Sequence, residues 1–211
     1  PKKGNFDNKI NVLESNNNII YNDNQKKAIE LALKNNILVI TGGPGTGKTT
    51  LIKAIIDIYM DINGITYNDF NKHIALLAPT GRASKRMSEN TSYPAYTIHR
   101  FLKWNKELNT FQINEHNKSE VRFVIIDEVS MIDTLLFESL LKGLIKNVKL
   151  ILVGDYNQLP SVGAGQVLKD IINSKIIEVV YLDLLYRQNN NSYIPVLADS
   201  IKNEKDIDLD I

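Results

Sequence analysis

Residues 37–60 read ILVITGGPGTGKTTLIKAIIDIYM. Ile37 to Ile40 form a short apolar run of the kind that makes a buried strand. A glycine-rich loop follows, and KTTLIKAIIDIYM then repeats apolar residues at helical spacing. Gly42 to Thr49 fit the pattern GxxxxGK[ST], and the flanks supply the strand and the helix that this pattern requires. Glycines let such a loop turn its N–H groups inward, and the helix N-terminus adds a favourable partial charge for phosphate oxygens. The stretch therefore predicts a phosphate cradle made of Gly43, Pro44, Gly45, Thr46, Gly47, Lys48, Thr49 and Thr50. Lys48 is placed on the β- and γ-phosphates of ATP and the Thr49 hydroxyl on Mg2+.

Outward from this loop the same rhythm repeats. HIALLA (73–78), RFVIID (122–127), KLILVG (149–154) and IIEVVYLDL (176–184) read as further strands. Helical patterns occupy 24–34, the segment after PTGRASKRM, IDTLLFESLLKGLI and QVLKDIINS. Nearly continuous apolar strands alternating with helices predict an α/β fold, a parallel sheet covered on both faces. Residues 1–21 are rich in Asn and Lys and read as a lead-in or linker with room for one short strand, so the domain is expected over 22–211. Segment 103–118, KWNKELNTFQINEHNK, breaks the rhythm and reads as a β-hairpin or extended loop.

The bulk properties exclude several classes. With no cysteine among 211 residues, thiol chemistry and Cys-ligated zinc are out. No apolar run approaches the roughly 20 residues of a membrane span, so a cytoplasmic location is expected. The formal net charge is +1, so any nucleic-acid footprint must be local. The chain begins at Pro1 and stops after a charged run at Ile211, and is read as a piece of a longer protein.

Asp127 and Glu128 close the strand run at 122–127. A carboxylate there suits magnesium, with Asp127 as its ligand through water and Glu128 orienting or deprotonating the attacking water. The same pair also suits an acidic helix start. Asn71-Lys72 and Asn117-Lys118 lack the aspartate of a guanine reader, which argues against a GTPase.

Five further segments carry a family resemblance. They are APTGRA (78–83), TIHRFL (97–102), DEVSMID (127–133), VGDYNQLPSVGAGQVL (153–168) and YRQ (186–188). Their order and spacing resemble superfamily-one DNA helicases, most closely the RecD-like branch: the stand-alone RecD-like enzymes and, more distantly, the alpha chain of exodeoxyribonuclease V. The resemblance spans roughly Asn22 to Lys202 and implies a RecA-like motor domain. It places Gln158 on the γ-phosphate, with its loop relaying phosphate loss to the DNA surface. It places Arg187 on the γ-phosphate, Tyr186 against the base and Gln25 on the adenine edge. Asn22 and Gln25 also have the spacing of a capping box, so both readings of Gln25 stand. Gly163 and Gly165 read as turn and helix-start geometry.

The resemblance further implies single-stranded DNA contacts from Pro79, Thr80, Arg82 and His99, with Lys85 and Arg86 beside them in the basic cluster. Trp104 and Phe111 flank Asn-Lys-Glu-Leu-Asn-Thr, so segment 103–118 is expected to be either a strand-separation pin or else a packing hairpin or disordered loop. The family translocates 5′ to 3′ on DNA and opens duplex junctions. The family's second RecA-like domain is expected beyond Ile211, leaving this piece alone poorly active. The parent is expected to be a monomeric motor, with nuclease or recombination subunits as partners. The alternative is an ATP-binding switch or assembly subunit of a nuclease–helicase complex that does not itself unwind. No cluster of acidic residues forms a nuclease site.

Overall fold

The computed structural model describes residues 4–159 and 161–182. Strand β1 (Ile37–Gly42) lies between β7 (Lys149–Gly154) and β8 (Val179–Leu182), parallel to both. Beyond β7 come β6 (Phe123–Ile126), β2 (Ile74–Ala78) and β3 (Ala95–Thr97), also parallel. The order across the sheet is β3-β2-β6-β7-β1-β8.

The pleat sorts each apolar run into two cores. Leu38, Ile40, Leu76, Phe123, Ile125, Ile151 and Val153 face one layer, and Val39, Leu77, Val124, Ile126, Leu150 and Leu152 face the other. The first layer is covered by α2 (Asp23–Lys34), α3 (Lys48–Asn63), the short α4 (Phe70–His73) and α5 (Gly81–Thr91). The second is covered by α6 (Ile98–Phe101), α7 (Thr134–Gly143) and α8 (Val167–Ser174). Burial on both faces is why these strands are continuous apolar runs rather than alternating ones.

The chain leaves β1 toward α3 on one face and leaves β7 toward α8 on the other. Two neighbouring strands whose exits diverge open a crevice at their carboxyl ends, where open α/β sheets bind ligands.

The first segment departs from expectation. Among the described residues it holds no strand: helix α1 covers Gly4–Asn17, with Phe6 and Ile10 both 2% exposed. Their i, i+4 spacing puts them on one face, Ile10 joining the core that contains α3 and Phe6 lying under the Lys34 ammonium. Lys9 pairs with Asp61, and Lys26 pairs with Glu14 at 3.0 Å. β3 also escaped the sequence reading, being three half-buried residues at the sheet edge with no apolar run to announce it. Of the strand expected over 176–184, residues 179–182 form β8, and 183 and 184 lie outside the described residues.

Segment 103–118 is a small hairpin. β4 (Trp104–Asn105) and β5 (Thr110–Phe111) pair antiparallel, Trp104 with Phe111 and Asn105 with Thr110. The Asn105 side chain shapes the turn, its Oδ1 accepting from the N–H groups of Glu107 (2.9 Å) and Leu108 (3.1 Å). Residues 112–118 form a looser turn tied to α7, where Lys118 Nζ donates to the Leu144 carbonyl at 3.1 Å.

Candidate active site

The loop from β1 to α3 encloses its own lysine. Lys48 Nζ donates to the carbonyls of Gly42 (2.6 Å) and Gly43 (2.7 Å), and Thr46 Oγ1 donates to Gly43 O at 2.9 Å. Gly47 has φ +81°, a backbone that L side chains rarely adopt, and a Cβ there would lie 2.8 Å from Gln25 Nε2. As N-cap of α3 it supplies no side-chain cap, so the helix presents its first N–H groups unsatisfied by any side chain. Pro44, Gly45 and Thr50 are exposed, Thr46 is buried, and Gly43 and Thr49 are half-buried.

Asp127 follows β6, and its N–H donates to the Leu77 carbonyl at 2.9 Å. Its Oδ1 accepts from the Glu128 N–H at 2.8 Å. Glu128 itself adopts the left-handed region, φ 55°, which turns the chain sharply into a 3-10 turn at Val129–Met131. No α-helix starts at this acid pair. The helix-capping acid is Asp133, whose Oδ1 accepts from the Leu136 N–H at 2.8 Å ahead of α7. Asp127 and Glu128 are thus not spent on a helix dipole.

Burial pushes the Asp127 carboxyl above the usual aspartate range, a shift that the Glu128 N–H and the Lys48 ammonium oppose and the Glu128 charge reinforces. Burial also pushes the Lys48 ammonium below the usual lysine range, against the pull of Asp127, Asp155 and Glu128. A lysine and a carboxylate both driven from their charged forms are the kind of perturbed pair that clusters at functional sites.

The loop after β7 is strung between both neighbours. Asp155 organises its turn: Oδ1 accepts from the Asn157 N–H (2.9 Å) and the carbonyl from the Gln158 N–H (3.2 Å). The Tyr156 N–H donates to the buried hydroxyl of Thr41 on β1 at 3.0 Å. The Ser130 hydroxyl, from the turn after β6, donates to Gln158 Oε1 at 2.6 Å. Sequence reading assigned no role to Thr41 or Ser130, although Thr41 adjoins the phosphate-loop pattern and Ser130 lies within DEVSMID. Gly163 and Gly165 do more than shape a turn. A Cβ on Gly163 would lie 2.6 Å from Asp133 Oδ2, and one on Gly165 1.9 Å from Thr134 Oγ1, so their bareness lets the loop close on the start of α7. The Thr134 N–H donates to the Ala164 carbonyl at 3.0 Å in the same place.

Gln25 forms the capping box and also reaches the phosphate loop. The N–H groups of Asn22 and Gln25 are accepted by Gln25 Oε1 (3.0 Å) and Asn22 Oδ1 (2.8 Å), while Gln25 Nε2 donates to the Thr46 carbonyl at 3.3 Å. The residue is 5% exposed. Its amide therefore braces the loop in this structure, at the position expected of a base reader.

At the edge of the sheet, Thr80 is the N-cap of α5, its Oγ1 accepting from the Ala83 N–H at 3.2 Å, with Pro79 half-buried before it. Arg82, Lys85 and Arg86 are exposed on α5, with Lys85 3.9 Å from Glu89. His99 is exposed on α6 and joins an aromatic group, its ring 6.2 Å from Trp104 and 5.7 Å from Phe111, with Trp104 and Phe111 4.7 Å apart. Arg100 stacks over Tyr96 at 4.9 Å. These residues sit at the same end of the sheet as the phosphate loop. Thr80 follows β2 and Lys48 follows β1, three strand intervals away, about 14 Å along the sheet. Tyr186 and Arg187 lie outside the described residues.

A family model described as an AAA domain matches residues 25–164, well over half of the chain. The chain belongs to the AAA domain family. The RecBCD enzyme subunit RecD of Buchnera aphidicola subsp. Acyrthosiphon pisum is 38% identical over 164 residues, 70% of this chain and 26% of that protein. The ATP-dependent RecD2 DNA helicase of Deinococcus radiodurans is 33% identical over 166 residues, 79% of this chain and 22% of that protein. A crystal structure of the Pif1 helicase from Candida albicans matches with a TM-score of 0.63 at 23% identity, covering 90% of this chain and 45% of that one. The motif-based resemblance to RecD-like proteins and the RecA-like fold are both borne out. The chain spans about a quarter of the length of these curated relatives.

As an AAA domain the chain is a nucleotide-using module, and the residues present fit a nucleotide with a magnesium ion. The cradle has an uncapped helix start and a lysine that would exchange two carbonyls for phosphate oxygens. The Thr49 hydroxyl makes no hydrogen bond among the described residues, and Asp127 is a half-buried carboxylate near the loop. Magnesium keeps several waters and shares substrate phosphates, so one hydroxyl and one carboxylate are a sufficient protein contribution. No helix among the described residues is long and apolar enough to cross a membrane.

Proposed function

We propose that this chain is the first motor domain of a RecD-like DNA helicase that hydrolyses ATP with Mg2+ and moves on single-stranded DNA, 5′ to 3′ in the whole protein. What carries this reading is the convergence of Lys48, Gln158 and Asp127 at the carboxyl ends of the adjacent strands β1, β7 and β6. Thr49 and Asp127 would hold Mg2+, which when bound neutralises phosphate charge. Lys48 takes the β- and γ-phosphate oxygens, Glu128 orients and deprotonates water, and Gln158 touches the γ-phosphate. Gln25 reads adenine by releasing Thr46. Tyr186 and Arg187 belong to the same proposal, with Tyr186 stacking on the base and Arg187 reaching the γ-phosphate.

DNA runs over the β2–β3 edge, its phosphates meeting Pro79, Thr80 and Arg82, with His99 and Trp104 offering ring faces to bases. Such binding is sequence-blind, through backbone charge and stacking. The second RecA-like domain completes the cleft from beyond this chain, in a parent that works as a monomeric motor in the cytoplasm with a role in repair or recombination. One relative's printed name, RecBCD enzyme subunit, supports nuclease or recombination subunits as partners.

The deciding experiment is unwinding by the whole protein on duplexes with a 5′ or a 3′ single-stranded tail, with Lys48→Ala as control. Opening of the 5′-tailed duplex alone, lost in the control, is expected. Intact ATP binding with no unwinding of either substrate would support an assembly subunit instead.

A further inference from the structure

The Ser130 hydroxyl donates to Gln158 Oε1 at 2.6 Å and so joins the turn after β6 to the turn after β7. The contact is built from both sides. On one side the 3-10 turn carrying Ser130 is anchored by Val129 and Ile132, 0% and 1% exposed, and closed by N–H donation from Met131 to Glu128 O and from Ile132 to Val129 O, each 3.0 Å. On the other side the Asp155 turn and the Tyr156–Thr41 bond fix the backbone that bears Gln158. Gly154 lets the two approach. A Cβ there would lie 3.4 Å from the backbone nitrogens of Val129 and Ser130 and 2.9 Å from Leu168 Cδ2.

The orientation of the amide has a chemical consequence. A glutamine has an acceptor end and a donor end, and a phosphate oxygen can only accept. When a hydroxyl holds the oxygen, the NH2 end is the one left for a ligand, and Gln158 is exposed. Without the hydroxyl the amide is free to turn its oxygen toward the phosphate, which repels it. Glu128 lies two residues before Ser130 in the same turn.

We infer that Ser130 is a positioning residue: it fixes the Gln158 amide with Nε2 turned toward the γ-phosphate and mechanically ties that amide to the turn that carries Glu128. The inference rests on the nucleotide-site reading proposed above. Ser130 touches no substrate itself and acts on the rate only through Gln158.

The test is DNA-stimulated ATP hydrolysis by the whole protein, with thermal unfolding measured alongside. Ser130→Ala is expected to lower kcat about tenfold, the lower end of what loss of an orienting partner costs. The KM for ATP should stay within about twofold, because ground-state binding rests on the Lys48 loop. Ser130→Thr keeps the hydroxyl and is expected to restore the rate, whereas Gln158→Glu keeps an acceptor for Ser130 but removes the NH2 and is expected to lose as much as Ser130→Ala. The double variant Ser130→Ala with Gln158→Ala should be no slower than Gln158→Ala alone. Full activity in Ser130→Ala, or losses that multiply in the double variant, overturns the inference while leaving the helicase reading intact. A wild-type protein without Lys48-dependent hydrolysis overturns both.

Discussion

The Tyr156 N–H donates to the Thr41 hydroxyl at 3.0 Å, across the crevice where the exits of β7 and β1 diverge. Thr41 is 2% exposed, so this bond satisfies a buried hydroxyl and pins the loop of Gln158 to the strand that launches the phosphate loop. Thr41→Val conserves shape but leaves the Tyr156 N–H without its partner, a loss of about 1–3 kcal/mol. Thermal unfolding should fall by roughly 2–12 °C, since a domain of this size shifts about 2–4 °C per kcal/mol. Thr41→Ser keeps the hydroxyl and should stay near wild type; a fall in Thr41→Ser with Thr41→Val unchanged would mean that packing of the methyl rather than the hydrogen bond holds the loop.

Asp127 gives a prediction of opposite sign. Burial raises its carboxyl above the ordinary 3.8, so the folded protein without nucleotide favours the neutral form more than the unfolded chain does. A carboxyl raised on folding contributes stability while protonated in both states and loses it as pH rises through the folded value. At pH 7 the charge is therefore a cost, and Asp127→Asn, which mimics the neutral acid, should unfold at a higher temperature than wild type. The gap should shrink as pH falls and close below about 3.8, the unfolded value. The same variant is expected to hydrolyse no ATP. A stability gain that persists unchanged at acidic pH would rule out titration of Asp127 as its source.

The strands of the sheet's middle were legible because parallel, doubly buried strands must be continuous apolar runs, and the phosphate loop because its glycines and lysine act locally. Thr41 and Ser130 were not legible. Each is a lone polar residue whose partner is set by the β6-β7-β1 neighbour order, which no local pattern encodes. Helix α1 was hidden by its polar, Asn-rich composition, which outweighed the i, i+4 pair Phe6 and Ile10.

That helix supplies a test of its own. If it were a loose lead-in, Ile10→Ala would change nothing. Buried at 2% exposure in the core that contains α3, Ile10 should instead cost about 2–4 kcal/mol on truncation, lowering thermal unfolding by roughly 4–16 °C. Asn11→Ala, on the exposed side of the same helix, is the matched control and should move it little.

The hairpin allows packing and strand separation to be told apart. Its rung, Trp104 against Phe111 with His99 at their edge, belongs to the aromatic group, while residues 106–109 form only the tip beyond the Asn105–Thr110 pair. Trp104 is 36% exposed, enough to offer a ring face to a base. Trp104→Ala should weaken single-stranded DNA binding by about 1–3 kcal/mol, the worth of one base–aromatic stack. Replacing residues 106–109 by Asn-Gly shortens the tip to a two-residue turn and keeps the rung. In the whole protein this shortened form is expected to retain DNA binding and DNA-stimulated ATP hydrolysis but to open no forked duplex. Unwinding at the wild-type rate would make the tip a packing element and leave Trp104 as the only part of the hairpin that meets DNA.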